Sequence, residues 1–279
     1  MQNPITTCIW CNNNGKDVAA FYCRVFPDAG MDSQNDFVTC FHIGDTPIMT
    51  LNGGPEFRPN PSFSFYVTIQ TESELRSVWD QLSAGGKIMM PLEKYPWSNL
   101  YGWLVDQYGV SWQLTLGEIS DVGKRVVPFL MFSDQQQGKA ENAIDFYQHL
   151  MQPAKDPVIV RYDPDQVSID AKVVHSRFYI GKNLFMAIDG GVPQPFNFDE
   201  GVSFVIYCDD QQEVDYYWDK ITEKGKESVC GWCSDEFGVS WQIVPVQIFD
   251  ILKQPERRDR FFKIMMKMKK LVIADLEKA

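Results

Sequence analysis

From Ile5 to Cys11 the chain is apolar and β-branched, as a buried strand is, and Asn12-Asn13-Asn14-Gly15 then marks a turn. Between Asp17 and Phe26, Val18, Phe21, Tyr22 and Val25 recur at helical spacing until Pro27 stops the helix. Phe37 to Ile43 and Pro47 to Leu51 flank Gly44-Asp45 and predict a hairpin. Phe63 to Ile69 predicts another strand, with Ser64, Tyr66 and Thr68 on one face and Phe65, Val67 and Ile69 packed against helices. Glu72 to Ser83 predicts a helix closed by Gly85-Gly86, and Tyr101 to Val105 with Val110 to Leu116 a second hairpin.

This pattern is written twice. Phe41-His-Ile-Gly44 through Gly53-Gly54 returns as Phe178-Tyr-Ile-Gly181 through Gly190-Gly191. Trp79-Asp80 and Gly86-Lys87 return as Trp218-Asp219 and Gly225-Lys226, and Gly102-Trp103, Asp106 and Gly109-Val-Ser-Trp-Gln113 as Gly231-Trp232, Asp235 and Gly238-Val-Ser-Trp-Gln242. Duplication is the simplest account. It predicts domains at 1–120 and 121–249, followed by a C-terminal amphipathic helix over 250–279.

Composition narrows the partners. A formal net charge of −11 repels polyanions, so nucleic acid is not expected. No apolar run is long enough to span a bilayer, and the N-terminal stretch lacks the pattern of a signal peptide. Seven cysteines, an odd number scattered through apolar segments, read as buried thiols in a reducing cytoplasm. Cys8-Ile-Trp-Cys11 and Cys230-Gly-Trp-Cys233 have a redox or zinc spacing, but both fall where strands are expected and read as structural.

The repeated order of these blocks resembles the glyoxalase and bleomycin-resistance type of fold, the vicinal oxygen chelate superfamily. Phe21-Tyr22, Phe146-Tyr147, Trp79, Trp218 and the Asp106 to Gln113 block with its copy look most like its PhnB-like branch, often labelled 3-demethylubiquinone 3-methyltransferase. The resemblance implies an α+β chain of two tandem domains, each of paired βαβββ units whose curved mixed sheets surround a cleft. It also implies the places where relatives hold a metal. These fall at Gln113 and Gln242, at Ser64 and Ser203, near Thr50 and Ala187, near Thr6 or Thr7, and near Pro128 or Phe129. Neutral amides and hydroxyls are poor ligands for zinc, iron or manganese. No metal and no other cofactor is therefore expected. His42, His149 and His175 read as structural.

What remains is a pocket for a small, partly aromatic molecule in the first copy, lined by Thr7, Thr50, Ser64, Tyr66, Trp97 and Gln113. Trp97 belongs to a predicted loop, Pro91 to Leu100, that the second copy lacks, and 151–172 reads as an insertion beside the second copy. No nucleophile or general base stands out, so whether the chain is an enzyme is left open. The alternatives are a metal-dependent lyase, isomerase or dioxygenase of the superfamily, or a methyltransferase, for which no glycine-rich nucleotide cradle is present. The basic C-terminal helix predicts packing on its own domain or on a second copy in a homodimer, rather than on a membrane surface.

Overall fold

Four copies of one strand, helix and three-strand module follow one another in a computed structural model that describes residues 4–278 except 164, 166 and 168. The first comprises β1 (Thr6–Cys11), α1 (Gly15–Val25), β2 (Ala29–Gln34), β3 (Val38–Ile43) and β4 (Thr46–Asn52). The second comprises β5 (Phe63–Ile69), α2 (Glu72–Ser83), β6 (Lys87–Tyr95), β7 (Ser98–Val105) and β8 (Ser111–Leu116). After a short helix α3 (Ile119–Val122), the third comprises β9 (Val126–Phe132), α4 (Ala140–Leu150), β10 (Val158–Arg161), β11 (Val173–Ile180) and β12 (Asn183–Asp189). The fourth comprises β13 (Val202–Cys208), α5 (Gln211–Thr222), β14 (Lys226–Glu227), β15 (Trp232–Ser234) and β16 (Ser240–Pro245). The duplication seen in the sequence is thus a pair of modules repeated.

The chain divides into two compact units: Thr7–Val202, with nearly all of modules one to three, and the chain from Ser203 onward with the residues before Thr7. In the larger unit modules two and three build one sheet in the order β10-β11-β12-β9-β5-β8-β7-β6. The seam is an antiparallel pairing of β5 with β9 that sets Ser64 opposite Phe129 and Tyr66 opposite Val127. This sheet therefore crosses residue 120, where the sequence repeat begins again. The first module contributes β1-β4-β3-β2 in that order, and the smaller unit contains β14-β15-β16-β13.

Each helix covers one face of its sheet. α1 buries Val18, Ala19, Tyr22 and Val25, and α2 buries Leu75, Val78, Trp79 and Leu82. Trp112 on β8 stacks on Phe65 at 4.8 Å and meets Tyr22 at 5.0 Å, which fixes the helix side of the sheet. By alternation Ser64, Tyr66, Ser111 and Gln113 occupy the opposite, inner face. Gly102 is required because Trp79 packs directly over its backbone, and a Cβ there would lie 2.4 Å from the indole.

The repeated Asp-x-x-Gly-Val-Ser-Trp-Gln block is a buried staple. Asp106 accepts hydrogen bonds from the Tyr22 hydroxyl at 2.6 Å, Trp112 Nε1 at 2.8 Å, and the backbone amides of Tyr108 and Val110. Asp235 repeats the pattern with Trp241 and the amides of Phe237 and Val239. Both carboxylates are fully used in holding turns and tryptophans, as the turn reading of these positions expects.

Several segments differ from their sequence reading. The predicted loop Pro91 to Leu100 is a hairpin of β6 and β7, with Trp97 in its turn. The supposed insertion at 151–172 contains β10, the counterpart of β2. Strands β2, β6 and β10 lie at sheet edges or carry exposed and polar residues, so no apolar alternation marks them. Cys230 lies in a turn with φ 60° just before β15 rather than on a strand.

The C-terminal helical segment is divided into α6 (Gln247–Leu252), α7 (Pro255–Met265) and α8 (Ile273–Leu276). Pro255 opens α7, where its missing N–H has no helical role to lose. Ile248, Ile251, Phe261, Leu271 and Leu276 form a core there, and Cys230 and Gly231 amides donate to the Met268 and Lys269 carbonyls. Most of the apolar face of this segment is thus covered within its own unit, while Phe249, Met266 and Val272 stay exposed. No helix among the described residues is long and apolar enough to cross a membrane.

Candidate functional site

The inner face of β5, β7 and β8 carries a ladder of polar groups set among aromatics. The Tyr101 hydroxyl donates to Gln113 Oε1 at 2.8 Å, and Trp103 Nε1 donates to Ser111 Oγ at 2.8 Å. Ser111 Oγ also bonds Ser64 Oγ at 2.8 Å, and Ser98 Oγ bonds Thr115 Oγ1 at 2.9 Å. Register explains the grouping: Tyr101 stands opposite Thr115 and Trp103 opposite Gln113 across the β7–β8 pair. Tyr66 stacks on Phe129 of β9 at 6.2 Å, and Tyr101, Trp103 and Met131 form a buried cluster against which Phe196 and Ile188 pack.

The β6–β7 hairpin is the rim of this face. Trp97 is 64% exposed, yet its ring stacks on Tyr95 at 5.1 Å and 22°, and meets Tyr101 edge-on at 5.9 Å. Burial pushes the Tyr101 hydroxyl well above the ordinary phenol range, with Tyr66 and Tyr95 nearby adding to the effect. Tyr66 is raised by burial too, while the hydrogen bond with Thr115 and the charge of Arg177 pull in the other direction. These hydroxyls are donors at neutral pH, not bases.

Of the six residues expected to line one pocket, Ser64, Tyr66 and Gln113 come together on this face, and Trp97 stands at its rim. Thr7 and Thr50 do not join them. Both are buried in the β1-β4-β3-β2 strands, and Thr50 donates its hydroxyl to the Gly15 carbonyl at the start of α1. Tyr101, Trp103, Ser98 and Thr115 were missed. The signal that could have found them is the hairpin register, which puts every second residue of 99–105 beside Ser111 to Thr115.

The shorter counterpart in the fourth module lacks the rim. β14 and β15 are a two- and a three-residue strand, Cys230 stands where Tyr101 does, and Gln242 Nε2 donates to Ser203 Oγ at 3.0 Å. The first copy alone carries the aromatic hairpin.

The donor chemistry does not fit a catalytic divalent metal. Gln113 Oε1 already accepts from Tyr101, Ser64 bonds Ser111, Phe129 presents a phenyl ring, and Thr50 faces α1. Among the described residues no group of three or more His, Cys, Asp or Glu is placed to hold a metal ion. His42 bonds Asp32 at 2.7 Å, and His149 bonds the Asp145 carbonyl within its helix. Elsewhere in the larger unit a cavity of about 430 Å³ is lined by Trp10, Asn14, Phe57, Arg58 and Tyr108, and none of the six expected residues reaches it.

Burial raises the thiols of Cys11 and Cys208 to about 12 each, so neither is a nucleophile at neutral pH. Iodoacetamide at pH 8 is expected to leave Cys11 and Cys208 unmodified in the native protein while denatured protein labels fully, as read by peptide mass spectrometry. Native labelling of either within minutes would contradict the structural role.

The modules, the mixed sheets and the covered outer faces define a glyoxalase-fold protein. Glyoxalase I from Zea mays is 12% identical, with 89% of this chain and 93% of that chain covered at a TM-score of 0.57, which shows the fold alone. The sequence model of the family described as 3-demethylubiquinone-9 3-methyltransferase matches residues 3–115 and 124–244, and the chain belongs to that family. A putative 3-demethylubiquinone-9 3-methyltransferase, PhnB protein, from Bacillus cereus is 32% identical, covering 41% of this chain and 100% of that chain at a TM-score of 0.39. No curated protein matches the chain.

Proposed function

We propose that this protein binds a small, partly aromatic molecule on the inner face of β5, β7 and β8, without a metal ion. The observation that carries the reading is the β6–β7 rim: Trp97, largely exposed, is held flat against Tyr95 beside the Tyr101–Gln113 pair. An indole fixed in that way offers a stacking surface with little ordering cost on binding, and the ladder beneath offers hydroxyl and amide contacts. The free thiols of Cys11, Cys23, Cys40, Cys208, Cys230 and Cys233 support a reducing compartment, the cytoplasm. The net charge of −11 supports a partner other than nucleic acid.

Intrinsic tryptophan fluorescence titrated with substituted benzenes tests the proposal. Saturable quenching is expected, and Trp97→Ala should weaken it about tenfold, equivalent to roughly 1.4 kcal/mol. Identical titrations for the two proteins would remove the hairpin from the site. An S-adenosylmethionine-dependent rise in melting temperature would favour methyl transfer instead.

A further inference from the structure

The third module lines its half of the inner face with apolar side chains: Val127, Phe129, Leu184 and Met186 form one buried cluster. One charged residue breaks this surface. Arg177 on β11 stands opposite Met186, which stands opposite Phe129, which stands opposite Ser64, so the guanidinium belongs to the same face as Tyr66. Phe178, the next residue, stacks on Tyr147 of α4 and marks the other side. Three strand spacings, about 14 Å, separate the β11 and β5 backbones. Between them lies the apolar cluster, against which Tyr66 and Val122 of α3 both pack, and Arg177 bonds the residue next to Val122, Asp121.

A guanidinium on an apolar face is costly to hold without a partner, and it offers five donors. Here Arg177, partly exposed, donates to the Asp121 carbonyl at the end of α3. Lys155 lies 5.9 Å from the Tyr179 ring centroid two residues along the strand, adding positive rather than negative charge. The Tyr66 hydroxyl belongs to the same face, and beyond it Ser98 Oγ is bonded to Thr115 Oγ1.

We propose that the site selects an anionic aromatic molecule, its carboxylate or phosphonate group held by Arg177 beside Tyr66 and its ring lying toward Tyr101 and Trp97. This rests on the binding site proposed above and adds the class of ligand. A guanidinium matches both anions through paired N–H donors, and the surrounding apolar surface strengthens each contact relative to water.

Titrations of tryptophan fluorescence with phenylphosphonate, benzoate and neutral benzamide test it on the full chain. Phenylphosphonate and benzoate are expected to bind the wild type at least tenfold more tightly than benzamide. Arg177→Gln should weaken both anions at least tenfold and leave benzamide unchanged. Because Arg177 also bonds α3, Arg177→Lys serves as a second variant: it keeps the charge but not the paired donors, and is expected to keep the preference for the anions while weakening them two- to fivefold. Benzamide binding as tightly as phenylphosphonate, or Arg177→Gln binding the anions within twofold of wild type, overturns the anionic specificity while leaving the binding site standing. If none of the three binds the wild type, the site and its specificity fall together.

Discussion

Asp106→Ala is expected to lose about 4 kcal/mol of unfolding free energy, at the large end for one substitution that breaks a buried hydrogen-bond network. The carboxylate is 4% exposed and receives four donors, two from side chains of different elements and two from the turn that precedes β8. Alanine leaves the Trp112 indole N–H and the amides of Tyr108 and Val110 facing a void, each unsatisfied donor costing roughly 1–3 kcal/mol. Tyr22 is less exposed to the loss because its hydroxyl can rotate.

Asp106→Asn distinguishes charge from shape. Its carbonyl oxygen can still accept from the two amides, but its NH2 group faces the Trp112 N–H, and two donors cannot bond. A loss of about 2 kcal/mol is expected. The two variants also differ in pH dependence. Burial is the largest influence on Asp106 and raises its pKa above the ordinary 3.8, although its hydrogen bonds lower it. The folded state therefore binds that proton more tightly than the unfolded chain. Its contribution is full below 3.8 and declines as pH rises through the folded value, a slope that Asp106→Asn lacks. Urea unfolding at several pH values measures all three. A midpoint for Asp106→Ala within error of wild type would show that the staple holds nothing.

Gly86→Ala is expected to cost about 3 kcal/mol, at the upper end for overpacking, because its new methyl would meet backbone on an adjoining element. A Cβ at Gly86 would lie 2.3 Å from the Val105 carbonyl oxygen, and one at Gly225 would lie 2.0 Å from that of Ser234. Neither oxygen can rotate away, since each precedes the aspartate staple of its own module. Gly225→Ala should behave alike in the smaller unit. Gly117→Ala is the control, with its nearest neighbour, a Thr68 methyl, at 3.8 Å and no positive φ. It is expected to change stability by less than about 0.5 kcal/mol. Thermal and urea denaturation of the three variants decide the matter, and a Gly86→Ala protein as stable as Gly117→Ala would remove the close approach as the reason for the repeated glycine.

The aromatic and polar halves of the site had unequal visibility in the sequence. Ser64, Tyr66 and Gln113 follow from strand alternation, since period two assigns a face without any knowledge of the neighbouring strands. Trp97 stood out because the second copy shortens the segment that carries it. Its setting was misread: a hairpin with polar and exposed positions shows no alternation, so β6 looked like loop. Tyr101 and Trp103 needed only the β7–β8 register, whereas Arg177, 113 residues from Ser64 in the chain, had no local signal at all.

The duplication, the module, the buried helix stripes and the neutral character of the metal positions were determined by sequence alone, because each is a matter of local spacing or residue chemistry. The tertiary structure decided which modules share a sheet. The first strand of every module presents similar backbone donors and acceptors along its edge, and periodicity does not say which edge it will meet. Pairing β5 with β9 joined the second module to the third, left Thr7 and Thr50 on other strands, and brought Arg177 onto the face of Tyr66 and Gln113.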